Sequence, residues 1–261
     1  MTAERSETYI GDIPCSGIRG VFLDAGNTLL SMDFVFLSEL AGEHGLPFSS
    51  GVLERAEAAA RPAVDRWLAE IPARSTESKG TLLVYVRSLL EEAARRSGGA
   101  LPPARIERKA AELAETLSDP RTSDRIWTRV PEGLPESLSG LKEAGIKLAV
   151  VSNADGTVEA KLERAGLRGY FDAILDSGRL GVEKPSPGIF LEAAARLGLP
   201  PSSCLHAGDL VEVDVRGALG AGVHAVLIDP FGDRGEVLCP TFASATRLAA
   251  RLLEAASRRK G

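Results

Sequence analysis

The chain has 261 residues, 44% hydrophobic and 26% charged, with 31 basic against 36 acidic side chains and a net charge of -5. That length fits one large α/β unit or a core domain carrying an insertion, and the acidic balance gives no bulk attraction to nucleic acid or an anionic membrane. Three widely spaced cysteines, Cys15, Cys204 and Cys239, argue against a disulfide framework and for a reducing compartment.

Residues 1–16 are polar, include Gly11 and Pro14, and read as a loose tail without the basic-then-apolar order of a secretory signal. No apolar run is long enough to span a bilayer, so a cytoplasmic protein is expected. The run Ile18-Arg19-Gly20-Val21-Phe22-Leu23 is the first strand, and it opens into Asp24-Ala25-Gly26-Asn27-Thr28-Leu29-Leu30. An aspartate at the C-terminal edge of a buried strand stands where open parallel sheets bind ligands. It is also where an aspartate caps a following helix.

From residue 33 to 126 the pattern is helical, with apolar residues at three- and four-residue spacing over 34–44, 52–69, 81–96 and 103–117. Pro62 is expected to break or restart the second of these helices. The stripe Leu82, Leu83, Val84 and Tyr85 reads as helix core or as a dimer contact, leaving monomer or homodimer open. From Leu138 onward, helices at 136–144, 157–165, 187–197, 211–221 and 243–256 alternate with short apolar runs at 147–151, 173–175, 203–207 and 224–228. That alternation predicts parallel strands with right-handed crossovers. The expected architecture is a Rossmann-like, doubly wound α/β core formed by 17–32 and 127–261, with an all-helical cap domain inserted at 33–126. The basic end, residues 257–261, is expected to fray.

Three further segments fall at strand ends. Ser152-Asn153-Ala154-Asp155-Gly156 places a hydroxyl and backbone N–H groups at a helix start, a ready anion site and equally an ordinary N-cap. Gly181-Val182-Glu183-Lys184-Pro185-Ser186-Pro187 holds a lysine in a proline-stiffened loop. Gly208-Asp209, followed by Glu212 and Asp214, gathers carboxylates for a cation or for the first turn of a helix. With Asp24, these deliver carboxylate, hydroxyl, lysine and carboxylate to one sheet edge. Together they permit phosphoryl chemistry: Asp24 attacks phosphorus, Ser152 and Lys184 hold non-bridging oxygens, and Asp209 with Asp24 holds Mg2+.

These four segments resemble, in order, the motifs of the haloacid dehalogenase-like hydrolase superfamily, and the resemblance extends from Val21 to about Ile228. It implies a Mg2+-dependent phosphohydrolase acting on a small phosphorylated metabolite through an aspartyl-phosphate on Asp24, with the helical insertion as a substrate-selecting cap. It also implies Lys184 as a catalytic and phosphate-binding group, Thr28, Ser152 and Asn153 as phosphate contacts, and Asp24, the Gly26 carbonyl, Asp209 and Asp214 as metal ligands. His206 resembles a variant of one phosphatase-like branch and is also explained by core packing.

One position departs from that pattern. The family's phosphatases carry an aspartate two residues after the nucleophile, which protonates the leaving alcohol and then activates water. Here that position is Gly26, which transfers no proton. Two alternatives follow from this: a non-catalytic phosphate-binding protein, or a hydrolase of a carbon–halogen or carbon–phosphorus bond, with Lys79 as the Schiff-base lysine in the carbon–phosphorus case alone. If the cap supplies the missing acid, Asp33, Glu43 and His44 are the candidates near the entrance.

Overall fold

The computed structural model of the chain describes residues 9–11, 13–70, 75–99 and 101–260. The central sheet is built from β1 (Gly20–Leu23), β2 (Lys147–Ser152), β3 (Ala173–Asp176), β4 (Cys204–Gly208), β5 (His224–Ile228) and β6 (Thr241–Phe242). Their order is β6-β5-β4-β1-β2-β3, every pairing parallel. The expected doubly wound sheet is therefore present, and it extends by one unforeseen edge strand, β6.

Helices α1 (Phe34–Glu43), α2 (Ser50–Glu70), α3 (Lys79–Arg96), α4 (Pro103–Ser118) and α5 (Pro120–Ile126) lie between β1 and β2 in the chain. Around the sheet run α6 (Leu134–Glu143), α7 (Val158–Arg164), α8 (Ser177–Leu180), α9 (Pro187–Leu197), α10 (Arg216–Gly220) and α11 (Ala245–Lys260).

Side chains alternate across a strand, and β1 shows what that does to the core. Val21 and Leu23 join Leu138 of α6 and Leu248 and Leu252 of α11 on one face of the sheet. Phe22 points the other way, to Phe190 and Ala193 of α9. Each such fully buried large side chain contributes about 1.5–3 kcal/mol. The helical block has its own apolar centre, including Leu37, Leu53, Leu90 and Leu113, and Val84 of α3 is also buried. Leu82, Leu83 and Tyr85 pack against that centre, so the stripe serves as helix core.

Several local expectations are corrected. Pro62 lies inside an uninterrupted α2. The hydrogen bond it removes is outweighed by burial along the helix, from Leu53 and Ala56 through Val64 to Leu68. The helical block is closed by a two-stranded antiparallel ribbon, Ser31–Met32 against Trp127–Arg129, and by α5, neither of which has a periodic signal at such short length. Order begins before residue 17: Tyr9–Ile10 pairs with Ile13–Pro14, and Ile13 and Cys15 are buried in the core. Residues 1–8 and 12 of the expected tail lie outside the described residues. At the other end α11 continues to Lys260, with Gly261 outside the described residues. Among the described residues no helix is long and apolar enough to cross a membrane.

Candidate active site

The chain leaves β1 in one direction across the sheet and returns at β4 on the other side of β1. The crevice beyond the carboxyl ends of β1 and β4 is thus a topological switch point, the usual ligand position in such sheets. Asp24 follows β1 directly, its backbone N–H bonded to Ala207 O at 3.0 Å, and Asp209 follows β4. The turn after Asp24 needs a left-handed residue at Asn27, φ 54°, a conformation asparagine tolerates well. That turn aims the Asn27 carboxamide at both Asp209 Oδ2 and Glu57 Oε1, donating to each at 3.0 Å.

Lys184 is the electrostatic hub. Its Nζ donates to Asp24 Oδ1 and to Asp214 Oδ1, both at 2.7 Å, with all three residues buried. Asp214 is also held by His206 Nε2 at 2.9 Å and the Leu210 N–H at 3.0 Å. It reaches back beneath the end of β4 from a π-helical turn, Val211–Val215, and only glycine at 208 leaves room, since any Cβ there overlaps the Asp214 carboxyl group. Burial raises the Asp24 pKa above the usual carboxylate range, against the pull of Lys184. Burial works in the same sense on Asp214, but Lys184 and His206 outweigh it and hold that carboxyl low. Asp209 is pushed up to about 7, chiefly by burial, against Arg61 and with Asp214, Asp24 and Glu57 adding to the rise. Burial also lowers the pKa of His206, favouring the neutral imidazole.

The helical block reaches into this centre through α2. Arg61, 4% exposed, forks onto Glu57 with Nε at 2.9 Å and Nη2 at 2.6 Å, and lies 3.3 Å from Asp209 Oδ2. Tyr85 from α3 donates to Glu57 Oε1 at 2.9 Å. One turn further along α2, Asp65 pairs with Arg234 at 2.9 Å, and Arg234 Nη2 also donates to Asp209 O at 2.7 Å. Both side chains of that pair are close to fully buried. Arg234→Met leaves Asp65 an unpaired buried charge and is expected to cost about 3–5 kcal/mol. The urea midpoint at unchanged m-value measures this, and a loss below about 1 kcal/mol would make the pair no stronger than a surface one.

Asp24, Gly26, Ser152, Asn153, Lys184, Asp209 and Asp214 all border one cavity of about 510 Å³, roofed by the helical block. Ser152, at the end of β2, has only a 3.4 Å bond to Asn153 O, so its hydroxyl is available to a ligand. Two expected phosphate contacts are placed differently. Thr28 is buried with its hydroxyl unpartnered and does not border the cavity. The Asn153 carboxamide is spent on Lys184, accepting from its N–H at 2.7 Å and donating to its carbonyl at 2.8 Å. It therefore clamps the lysine loop.

The acid candidates fare no better. Asp33 caps α1 through the N–H groups of Val35 and Phe36, Glu43 is exposed, and His44 sits beside Thr116 and Glu112. None of the three borders the cavity. Sequence reasoning also missed Asn27, Glu57, Arg61 and Glu77; of these only Asn27, with its turn chemistry next to the aspartate, carried a local signal.

A family model for the haloacid dehalogenase-like hydrolase matches residues 18–222. The chain belongs to the haloacid dehalogenase-like hydrolase family. Haloacid dehalogenase-like hydrolase domain-containing protein 3 of Bos taurus is 41% identical over 118 residues, 45% of this chain and 47% of that protein. Glyceraldehyde 3-phosphate phosphatase of Methanopyrus kandleri is 40% identical over 99 residues, 38% and 42% of the two chains. The chain thus spans less than half the length of the curated relatives it matches. Among solved structures, a HAD phosphatase from Thermococcus onnurineus shares the fold, with a TM-score of 0.55 at 23% identity over 90% of this chain and 98% of that one.

In this haloacid dehalogenase-like chain the donor set suits a hard divalent cation. Asp24, Asp209 and Asp214 each offer a carboxylate oxygen, all within 4.8 Å of one another. Oxygen donors of this kind select Mg2+ or Ca2+ over softer metals. Charge balance points the same way. Four buried carboxylates, those three and Glu57, face two buried cations, Lys184 and Arg61, which leaves about two negative charges to be met when all are ionised.

Proposed function

We propose that this protein is a Mg2+-dependent phosphohydrolase acting on a small phosphorylated metabolite through an aspartyl-phosphate at Asp24. The observation that carries this reading is the Asp24–Lys184–Asp214 bridge at the switch point, beside Asp209 and facing a roofed cavity. The phosphatase named among the relatives supports phosphoryl transfer and a small phosphorylated substrate. Residues 33–126 serve as a cap over a core of 17–32 and 127–261.

Asp24 attacks phosphorus through a carboxylate oxygen, and the bond from phosphorus to the ester oxygen breaks in line. Lys184 fixes the direction of Asp24 and places a positive charge beside the phosphoryl oxygens. The Ser152 hydroxyl donates to one of those oxygens, and Asn153 keeps the lysine loop in place. Asp24, the Gly26 carbonyl, Asp209 and Asp214 would hold Mg2+, which supplies charge neutralisation of the phosphoryl group. Met32, Leu82, Leu117 and Trp127 give the cavity apolar walls beside the reacting centre.

With Mg2+ the purified protein is expected to hydrolyse p-nitrophenyl phosphate and small sugar phosphates, and a chelator is expected to remove at least about 10²-fold of that rate. Release of inorganic phosphate measures it. Activity confined to 2-haloacids and indifferent to chelator would overturn the reading.

A further inference from the structure

The Gly26 backbone faces Trp127: a Cβ built at Gly26 lies 3.7–4.0 Å from three indole carbons. The space beside the nucleophile is therefore bounded by a hydrocarbon edge with no proton to give, and an acid for the leaving group must come from another wall. Among the described residues bordering the cavity, the carboxyl groups are those of Asp24, Glu77, Asp155, Asp209 and Asp214. Three form the acidic trio. Asp155 accepts from the N–H and hydroxyl of Thr157, and its pKa is lowered, those bonds and Lys161 outweighing burial. Tyr85 is turned away, donating to Glu57. Of these carboxyl groups Glu77 remains, and its carboxylate has only a long 3.5 Å contact from Thr76 Oγ1.

Resting on the phosphohydrolase reading, we propose that Glu77, on the turn leading into α3, is the residue that protonates the leaving alcohol and then activates water, in place of the acid absent at Gly26.

The turn that carries it is held to the core from both sides. Asn153 Nδ2, the same group that clamps Lys184, donates to Thr76 Oγ1 at 3.0 Å, and Ser75 Oγ donates to Glu183 Oε2 at 2.7 Å. Thr81 Oγ1 ties the turn to α3 through Ser75 O at 2.7 Å. The turn that brings Glu77 to the cavity wall is thus tied to the residue that positions the lysine. Although its side chain is open to solvent, the protein crowded around it at the cavity rim raises its pKa to about 7, with Asp155, Asp24 and Glu183 adding to the rise and Lys161 opposing it. A carboxyl group poised there is part acid and part base near neutral pH, which suits both halves of the reaction.

In the first half, Asp24 forms its bond to phosphorus, and the electron pair of the breaking P–O bond goes to the alcohol oxygen, which takes the Glu77 proton. In the second, the Glu77 carboxylate removes a proton from water as that oxygen bonds to phosphorus. The Asp24–phosphorus bond then breaks, its electron pair returns to the Asp24 carboxylate, and phosphate leaves.

The test compares the protein with its Glu77→Gln variant, with Mg2+, on glycerol 3-phosphate and p-nitrophenyl phosphate. Glu77 is exposed on a turn, and circular dichroism checks that the variant folds. The variant is expected to lose about 10²- to 10⁴-fold in kcat/KM on the alkyl ester. On the aryl ester its first-turnover burst of nitrophenolate persists while steady turnover falls, and the phosphate adduct on Asp24 accumulates in intact-protein mass spectrometry. In the wild type, kcat/KM on the alkyl ester falls as pH rises through about 7, because the acid form is lost. In the variant that limb is missing. A wild type active on both esters, with a variant that keeps the same alkyl-to-aryl ratio, the same pH limb and no adduct, overturns the role of Glu77 alone. A wild type inactive on both esters overturns the phosphohydrolase reading and this role together.

Discussion

Asp24→Asn is expected to lower turnover of alkyl and aryl phosphates alike by about 10⁴-fold or more, since removing a nucleophile disables both half-reactions however good the leaving group. The carboxamide is nearly isosteric, so the cavity keeps its shape. Its cost to stability is set by what Lys184 has left. The ammonium keeps Asp214 at 2.7 Å, so it is not stranded, and the uncharged carboxamide is spared the desolvation that raises the Asp24 pKa. The expected change in unfolding free energy is below the roughly 3–5 kcal/mol of a fully broken buried pair. Single-turnover quench with radiolabelled ester, together with urea melts, checks both parts. Residual turnover within about 10-fold of wild type would remove Asp24 from the nucleophile's place.

Lys184→Met is expected to do the opposite to stability. It strips the shared cation from Asp24 and Asp214, two buried carboxylates that each accept from Nζ at 2.7 Å. Burial lowers the Lys184 pKa, and the two aspartates more than reverse that, so in the wild type the ammonium is fully protonated and the pair of bridges is strong. Removing it leaves like charges facing one another in a dry site, a cost of about 3–5 kcal/mol. Loss of a fixed positive charge beside the phosphoryl oxygens is expected to take a further 10²- to 10³-fold, roughly, from kcat. The contrast between the two variants is the measurement: urea midpoints should rank wild type and Asp24→Asn close together, with Lys184→Met well below. A Lys184→Met protein as stable as Asp24→Asn would mean that the bridge is not the hub.

The sheet and the strand-end groups were legible because each depends on short-range pattern. Apolar runs of four to six residues mark β1, β2, β4 and β5, and whatever polar residue follows such a run is delivered to the same edge. Asp24, Ser152 and Asp209 come from that rule, and Lys184 from a loop stiffened by prolines. Groups arriving from the helical block were not legible. Arg61 reads as one more charged residue on a helix that also carries Arg55, Asp65 and Arg66, and nothing local says that it alone crosses to Asp209. Glu77 lies in a turn where no periodicity operates. The inward direction of the Thr28 hydroxyl was not legible because position along a turn does not fix the direction of a side chain. The clamp made by the Asn153 side chain was not legible because its partner, the Lys184 backbone, is 31 residues away.

On the metal-dependent reading, the carboxyl group of Asp209 would both seat α2 on the core and bind a cation. Arg61 and Asn27 both point at Asp209 Oδ2, and Arg61 is anchored by Glu57 within the helical block. Two equilibria that share one acceptor are thermodynamically linked, and the factor by which the first shifts the second is the factor by which the second shifts the first. A cation that drew Asp209 away from Arg61 would loosen the seating of α2 in the measure that a firm seating weakens the cation. On the metal-dependent reading, affinity for the cation would accordingly depend on how α2 is seated as well as on the three aspartates.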